Sequence, residues 1–158
     1  MKKIPFGSTM VFRKETDFFQ AFINTIIFNL FMIFIIIGVN HYRVKFFNFG
    51  YLPLYANTVL IGLFAGTNSF SGGVSTYTLK GWFLFLQIGF PEFLAYIFAC
   101  TATTNLTMFY AEKWRGENFK KLRKFKQIKL SGQEIIFLLL SLILLLISAF
   151  NEWRYFKF

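Results

Sequence analysis

Residues 18–39 read FFQAFINTIIFNLFMIFIIIGV, 22 positions without a charge. As an α-helix such a stretch rises roughly 33 Å, the thickness of a bilayer's hydrocarbon core. A first membrane span is therefore expected here. Its polar residues, Gln20, Asn24, Thr25 and Asn29, all lie in the first half, and from Leu30 the stretch is Ile, Phe, Leu and Met up to Gly38 and Val39. The Asn-bearing half is predicted to face protein, because an amide finds no partner in hydrocarbon.

Composition extends this reading to the whole chain. Of 158 residues, 56% are hydrophobic, 22% are aromatic and 25 are Phe, whereas only 15% are charged. A soluble domain of this size needs roughly a quarter of its residues charged to cover its surface. The formal charge of +10, taken with this apolarity, points to anionic lipid rather than nucleic acid. One cysteine, Cys100, and one histidine, His41, exclude an internal disulfide framework, a Cys-based zinc site and a His-rich metal cluster, so neither a metal nor a cofactor is expected. The opening MKKIPFGSTMVFRKETD has basic residues but no apolar h-region and no A-x-A-like cleavage site, so the first apolar stretch is expected to remain in the protein.

Beyond a short basic hinge of His41, Tyr42, Arg43 and Lys45, a second span is expected at 46–66, containing Pro53, Asn57, Gly62 and Gly66. The Gly62-x-x-x-Gly66 pair offers a flat strip for close helix approach. Residues 67–80 are a Ser, Thr and Gly-rich loop. The apolar stretch 81–111 is too long for one span and too short for two, so something must break it. Gly89-Phe90-Pro91-Glu92 supplies the break: Pro suits a helix's first turn, Glu favours its positive end, and the residue before Pro is pushed out of helix. The expectation is a re-entrant half-helix at 82–88 followed by a third span at 91–111. Ala95, Ala99 and Ala102 recur at helical spacing as a small-residue packing face, with Cys100 beside them in a packing role.

Residues 112–133 hold eight cations, Lys113, Arg115, Lys120, Lys121, Arg123, Lys124, Lys126 and Lys129. A leucine-rich fourth span follows at 134–152, where Glu134, Ser141, Ser148 and Glu152 share one helical stripe, expected to be the buried one. Trp153, Arg154, Tyr155 and Lys157 read as an interfacial anchor. The fold expected is thus all-α, a single integral membrane domain of four spans over residues 1–158. With the hinge and basic loop together carrying ten Lys and Arg against seven on the other side, the positive-inside rule puts the loop in the cytoplasm and both termini outside.

Phe22-Ile23-Asn24-Thr25, the terminal Gly38, Asn57 with Gly62, and above all Gly89-Phe90-Pro91-Glu92-Phe93-Leu94-Ala95-Tyr96 resemble the stage II sporulation protein M family. The resemblance covers roughly residues 20–155. Thr25, Thr58 and Ile88 stand where that family has Asn, Gly and His. The short chain looks most like relatives encoded beside ATPases in circular bacteriocin gene clusters. That resemblance implies a bacterial plasma-membrane subunit that acts with an ATP-binding subunit and other membrane subunits in maturation, export or immunity for a small apolar peptide.

Glu92 is the one carboxylate well inside an apolar stretch. Two roles stay open for it: a cap on the helix that Pro91 begins, or a peptide-contact or proton-linked role with Gln87, Asn57 and Asn24 as polar neighbours. The basic loop is a topology determinant lying on anionic lipid. It is also a candidate ATPase dock, built from Lys113, Trp114, Arg115, Lys120, Lys121, Arg123 and Lys124, with Phe119, Leu122 and Phe125 completing an amphipathic helix. No Ser, His and Asp set, HExxH motif or P-loop is present in the sequence, so a non-catalytic component dependent on a partner for energy is expected. Two alternatives remain: a structural subunit of a larger membrane complex, organelle-encoded and respiratory, and an intramembrane enzyme acting on peptide ends.

Overall fold

The structure, a computed structural model, describes residues 18–66, 78–113 and 118–157. The side-chain surroundings of 18–19, 21, 61–66 and 155–157 lie outside that description. Helix α1 (Phe18–Val39) leads into a hairpin of β1 (Tyr42–Val44) and β2 (Phe47–Asn48), then α2 (Tyr51–Gly66). Helix α3 (Leu79–Leu84) continues through a π-turn (Phe85–Gly89) into α4 (Phe90–Thr103). Strands β3 (Phe109–Ala111) and β4 (Lys120–Lys121) precede α5 (Gly132–Lys157). Among the described residues three helical stretches are long and apolar enough to cross a membrane: Phe22–Val39, Leu79–Leu106 and Gly132–Arg154. Their outward faces carry Phe28, Phe31 and Phe34 on α1 and Ile136, Leu139, Ile143 and Leu146 on α5, an apolar exterior suited to lipid.

Hydrogen bonds between helices give their directions. Ser148 and Asn151 of α5 reach the carbonyls of Ile88 and Gln87, and Glu134 meets Asn105, so α5 runs antiparallel to α3 and α4. Asn29 meets Tyr96 and Asn40 meets Thr103, so α1 and α4 run parallel. The core between them is Ile33, Ile36, Leu54, Ala95, Tyr96, Ala99, Cys100 and Leu145. Ala95, Ala99 and Ala102 are fully buried, and small residues let two backbones approach closely where hydrophobic burial gives no driving force in lipid. The α5 stripe of Glu134, Ser141 and Ser148 is buried as well, with Glu152 half-buried.

Four expectations are corrected. The chain is not all-α, because the hinge is a hairpin and a mixed sheet of order β2-β1-β3-β4 gathers at one end of the bundle. Phe47 and Asn48 pair with Val44 and Arg43 instead of opening a span, so α2 begins only at Tyr51, with Pro53 in its first turn. At 16 residues α2 is not among the candidate spans. Third, no re-entrant break occurs at Gly89 and Pro91. The missing Pro91 N–H is absorbed by widening the helix by one residue, the Phe90 N–H bonding the Phe85 carbonyl five residues back. Fourth, α4 ends at Thr103 rather than 111. Thr104 and Thr107 turn their hydroxyls onto the carbonyls of Thr101 and Thr104, which competes with further helix and releases 109–111 to the sheet.

Asn40 ties the sheet to the helices. Fully buried, it donates from Nδ2 to the Cys100 carbonyl (3.1 Å) and the Thr103 hydroxyl (2.7 Å), and its Oδ1 accepts from the Gly50 N–H (3.0 Å). A Cβ on residue 50 would overlap that amide, so glycine is required there. Gly50→Ala is expected to cost on the order of 1–3 kcal/mol through the displaced hydrogen bonds, and to raise the labelling rate of the buried Cys100 thiol in micelles. Adding Asn40→Ala should restore room but not the bonds, giving an intermediate rate. Unchanged protection of Cys100 in Gly50→Ala would contradict the lock.

Candidate functional site

The interior holds a chain of polar groups about midway along the helices. Glu92 and Tyr96 are one turn apart on α4, so both side chains fall on one face. The Tyr96 phenol oxygen is 2.8 Å from Glu92 Oε1 and 2.9 Å from Asn29 Oδ1 on α1. Further from the sheet, the Glu152 carboxyl faces the Thr25 side chain and lies within electrostatic reach of Glu92. Beside them Ser148 Oγ donates to the Ile88 carbonyl (2.7 Å) and Asn151 Nδ2 to the Gln87 carbonyl (2.8 Å). The second bond has a direct cause. Pro91 has no N–H for the Gln87 carbonyl four residues back, and a side chain from α5 takes its place. Toward the sheet the next layer is apolar, made of Ile33, Ile36, Ala99 and Leu145, with the buried Asn40 and Thr103 beyond it.

The sequence candidates distribute unevenly over this geometry. Glu92 belongs to the cluster, but it does not begin a helix, because α3, the π-turn and α4 are continuous. The hydrogen bond it makes is to Tyr96, which removes the cap role. Asn24 and the Gln87 side chain are exposed, and Asn57 is half-buried on α2; none of the three is bonded to Glu92. Gly89 sits against the Phe85 ring inside the π-turn. The packing expected of Gly62 and Gly66 lies outside the described side chains. Tyr96, Asn29, Glu152 and Asn40 were not among the expected site residues, although Asn29 and Glu152 were expected on protein-facing surfaces. A Tyr four residues after an intramembrane Glu and a Glu closing a Ser-Ser stripe were the available signals, whereas nothing local marks Asn40.

At the sheet end, Ser131 and Glu134 form a reciprocal cap on α5. Glu134 Oε2 accepts from the Ser131 N–H, and Ser131 Oγ accepts from the Glu134 N–H (3.3 Å). Ser-x-x-Glu before an apolar run is the sequence signature of this arrangement. Glu134 Oε1 also accepts from Asn105 Nδ2 (2.6 Å), and Arg123 donates to the Asn105 carbonyl (3.2 Å). The basic segment before the cap is not the expected amphipathic helix: Lys120 and Lys121 pair with Tyr110 and Phe109 as an edge strand. Lys113, Lys120, Lys121, Arg123 and Lys124 are exposed, beside exposed Leu122 and Phe125. Trp114 and Arg115 lie outside the described residues.

No protein-family model, curated protein or solved structure matches the chain. Among the described residues no cluster of His, Cys, Asp or Glu could hold a metal ion. Replacing Ser131 by Ala should cost about 1 kcal/mol of bundle stability, as loss of an N-cap does, whereas Glu134→Gln, which keeps an acceptor for the Ser131 N–H, should cost less. Reversible unfolding in mixed micelles followed by tryptophan fluorescence checks the order.

Proposed function

We propose that the chain is a non-catalytic integral membrane subunit that works with a separate ATP-hydrolysing subunit on a small membrane-active peptide, in its maturation, export or immunity. The observation that carries this reading is the polar chain from Thr25 and Glu152 through Glu92 and Tyr96 to Asn29 inside an otherwise apolar bundle. Ionisable groups are expensive in hydrocarbon, and where they persist they meet something other than lipid. The resemblance of Gly89 to Tyr96 to the sporulation protein M relatives supports the peptide as that something. The same resemblance supports the bacterial plasma membrane as the location.

The proposal includes four crossings. The chain leaves the sheet end at Tyr51, yet Leu79 begins a helical stretch of roughly 37 Å whose other end is at the sheet. Helix α2, which starts at the sheet end and rises roughly 24 Å, supplies the return crossing in this proposal. Arg43, Lys45, Lys120, Lys121, Arg123 and Lys124 all cluster at the sheet, which orients that end toward the cytoplasm. There the exposed basic strand is the surface offered to the ATP-hydrolysing subunit.

Two measurements test this. In a Cys100→Ser background, a cysteine at residue 124 should resist an impermeant thiol reagent on intact cells while one at residue 79 reacts; the reverse pattern would overturn the orientation. Purification of the tagged chain from its native host in mild detergent should bring down an ATP-hydrolysing subunit, and recovery of the chain alone would remove the partner from the proposal.

A further inference from the structure

Hydrogen counting at Tyr96 leads further. The phenol oxygen faces two acceptors, Glu92 Oε1 at 2.8 Å and Asn29 Oδ1 at 2.9 Å, yet a phenol carries one hydrogen. It can donate to only one of them. The other contact needs a hydrogen from elsewhere. At the same time Asn29, only 3% exposed, leaves its Nδ2 without a partner, although an unpaired buried donor is costly.

With the titrating proton placed on Oε1, the Glu92 oxygen that faces the phenol, two arrangements satisfy the short contacts. In the first, Glu92 is a carboxylic acid whose O–H donates to the phenol, the phenol O–H donates to Asn29 Oδ1, and Asn29 Nδ2 stays unpaired. In the second, Glu92 is a carboxylate accepting the phenol O–H, and the Asn29 amide is turned so that Nδ2 donates to the phenol oxygen. The two differ by one proton on Glu92 and a half-turn of one amide. The orientation seen, with Oδ1 toward the phenol, belongs to the first.

We propose that Glu92, Tyr96 and Asn29 form an intramembrane proton-binding site, in which binding or release of one proton at Glu92 reverses the Glu92–Tyr96 hydrogen bond and turns the Asn29 amide. The surroundings suit a proton rather than a metal or organic cation. From α1 the site meets the neutral Thr25 and Asn29; from α5 it meets the carboxyl of Glu152, with Ser148 and Asn151 on the adjoining carbonyls; its own helix contributes Tyr96. Among the described residues the ion pair seen is Lys120 with Glu112, at the sheet, and none of their Lys or Arg side chains is paired with Glu92. A second carboxyl nearby further disfavours two charges together. Ile33, Ile36, Ala99 and Leu145 lie between the site and the sheet end. This inference rests on α1, α4 and α5 lying in the bilayer, and is independent of any peptide or ATP-hydrolysing partner.

The test uses the purified full chain alone in lipid nanodiscs, with infrared difference spectra recorded against pH. The expected result is a titrating carboxylic-acid C=O band that disappears in Glu92→Gln, persists in Glu152→Gln, and shifts in frequency in Tyr96→Phe because the acid has lost its phenol acceptor. Asn29→Leu, which removes the amide that turns, should abolish the accompanying amide side-chain signal while keeping the acid band. Should Glu92→Gln fail to assemble, the shift in the near-isosteric Tyr96→Phe variant decides. A band that vanishes in Glu152→Gln instead, or one unmoved by Tyr96→Phe, would overturn the proposal.

Discussion

Pro91 takes one N–H out of a helical stretch long and apolar enough to cross a membrane, and the carbonyl of Gln87 thereby loses its partner. In water that loss would be minor. In hydrocarbon an open carbonyl is not tolerated, so something must come to it. The helix responds in two ways, widening into a π-turn at Phe85–Gly89 and drawing Asn151 and Ser148 of α5 onto the carbonyls of Gln87 and Ile88. The seam between α4 and α5 is thereby set in register at one end by polar contacts. Along the rest of its length Ala95, Ala99, Ala102, Ser141 and Ala149, all buried, allow close approach. Glu134 and Asn105 close the seam at the sheet end, so both ends of an otherwise slippery apolar contact carry a directional bond.

The first helix is then placed by two amides. Asn29 reaches Tyr96 and Asn40 reaches Cys100 and Thr103, about three turns apart along α1. Asn40 has the additional task of receiving the Gly50 N–H, which brings the β1–β2 hairpin back under the bundle. Parallel pairing of β1 with β3 becomes available because α1 and α4 end side by side. The sheet is thus a consequence of helix packing. It also carries the cationic segment, so the charge that orients a membrane protein sits on a fixed platform at one end.

Helix existence was legible in the sequence because a charge-free run of bilayer length has few other solutions: 18–39 and 134–152 fall within α1 and α5. The stripe of Glu134, Ser141 and Ser148 was legible from spacing alone, as were the buried alanines of α4. The sheet was not, since its strands are two or three residues long and β1 pairs with a segment 67 positions away. Phe46 and Phe47 read as membrane residues because aromatic runs look alike in a strand and a span. The treatment of Pro91 failed for a more instructive reason. Proline breaks helices where water can take the freed carbonyl, whereas here the replacement partners come from a helix some sixty residues later, which local sequence cannot reveal. Glu92 was found and its neighbours were not, because Tyr96 and Asn29 matter only through one shared hydrogen.

The central claim is that α5 is held against α4 by a carbonyl that Pro91 sets free. It is tested most directly by a double-mutant cycle of Pro91→Ala and Asn151→Leu, with reversible unfolding measured in mixed micelles. In the Pro91→Ala background the restored N–H can take the Gln87 carbonyl, so Asn151→Leu should cost less there than with Pro91 present, by about 0.5 kcal/mol or more, the typical worth of an interhelical hydrogen bond in a membrane protein. Equal costs of Asn151→Leu in the two backgrounds would contradict the account.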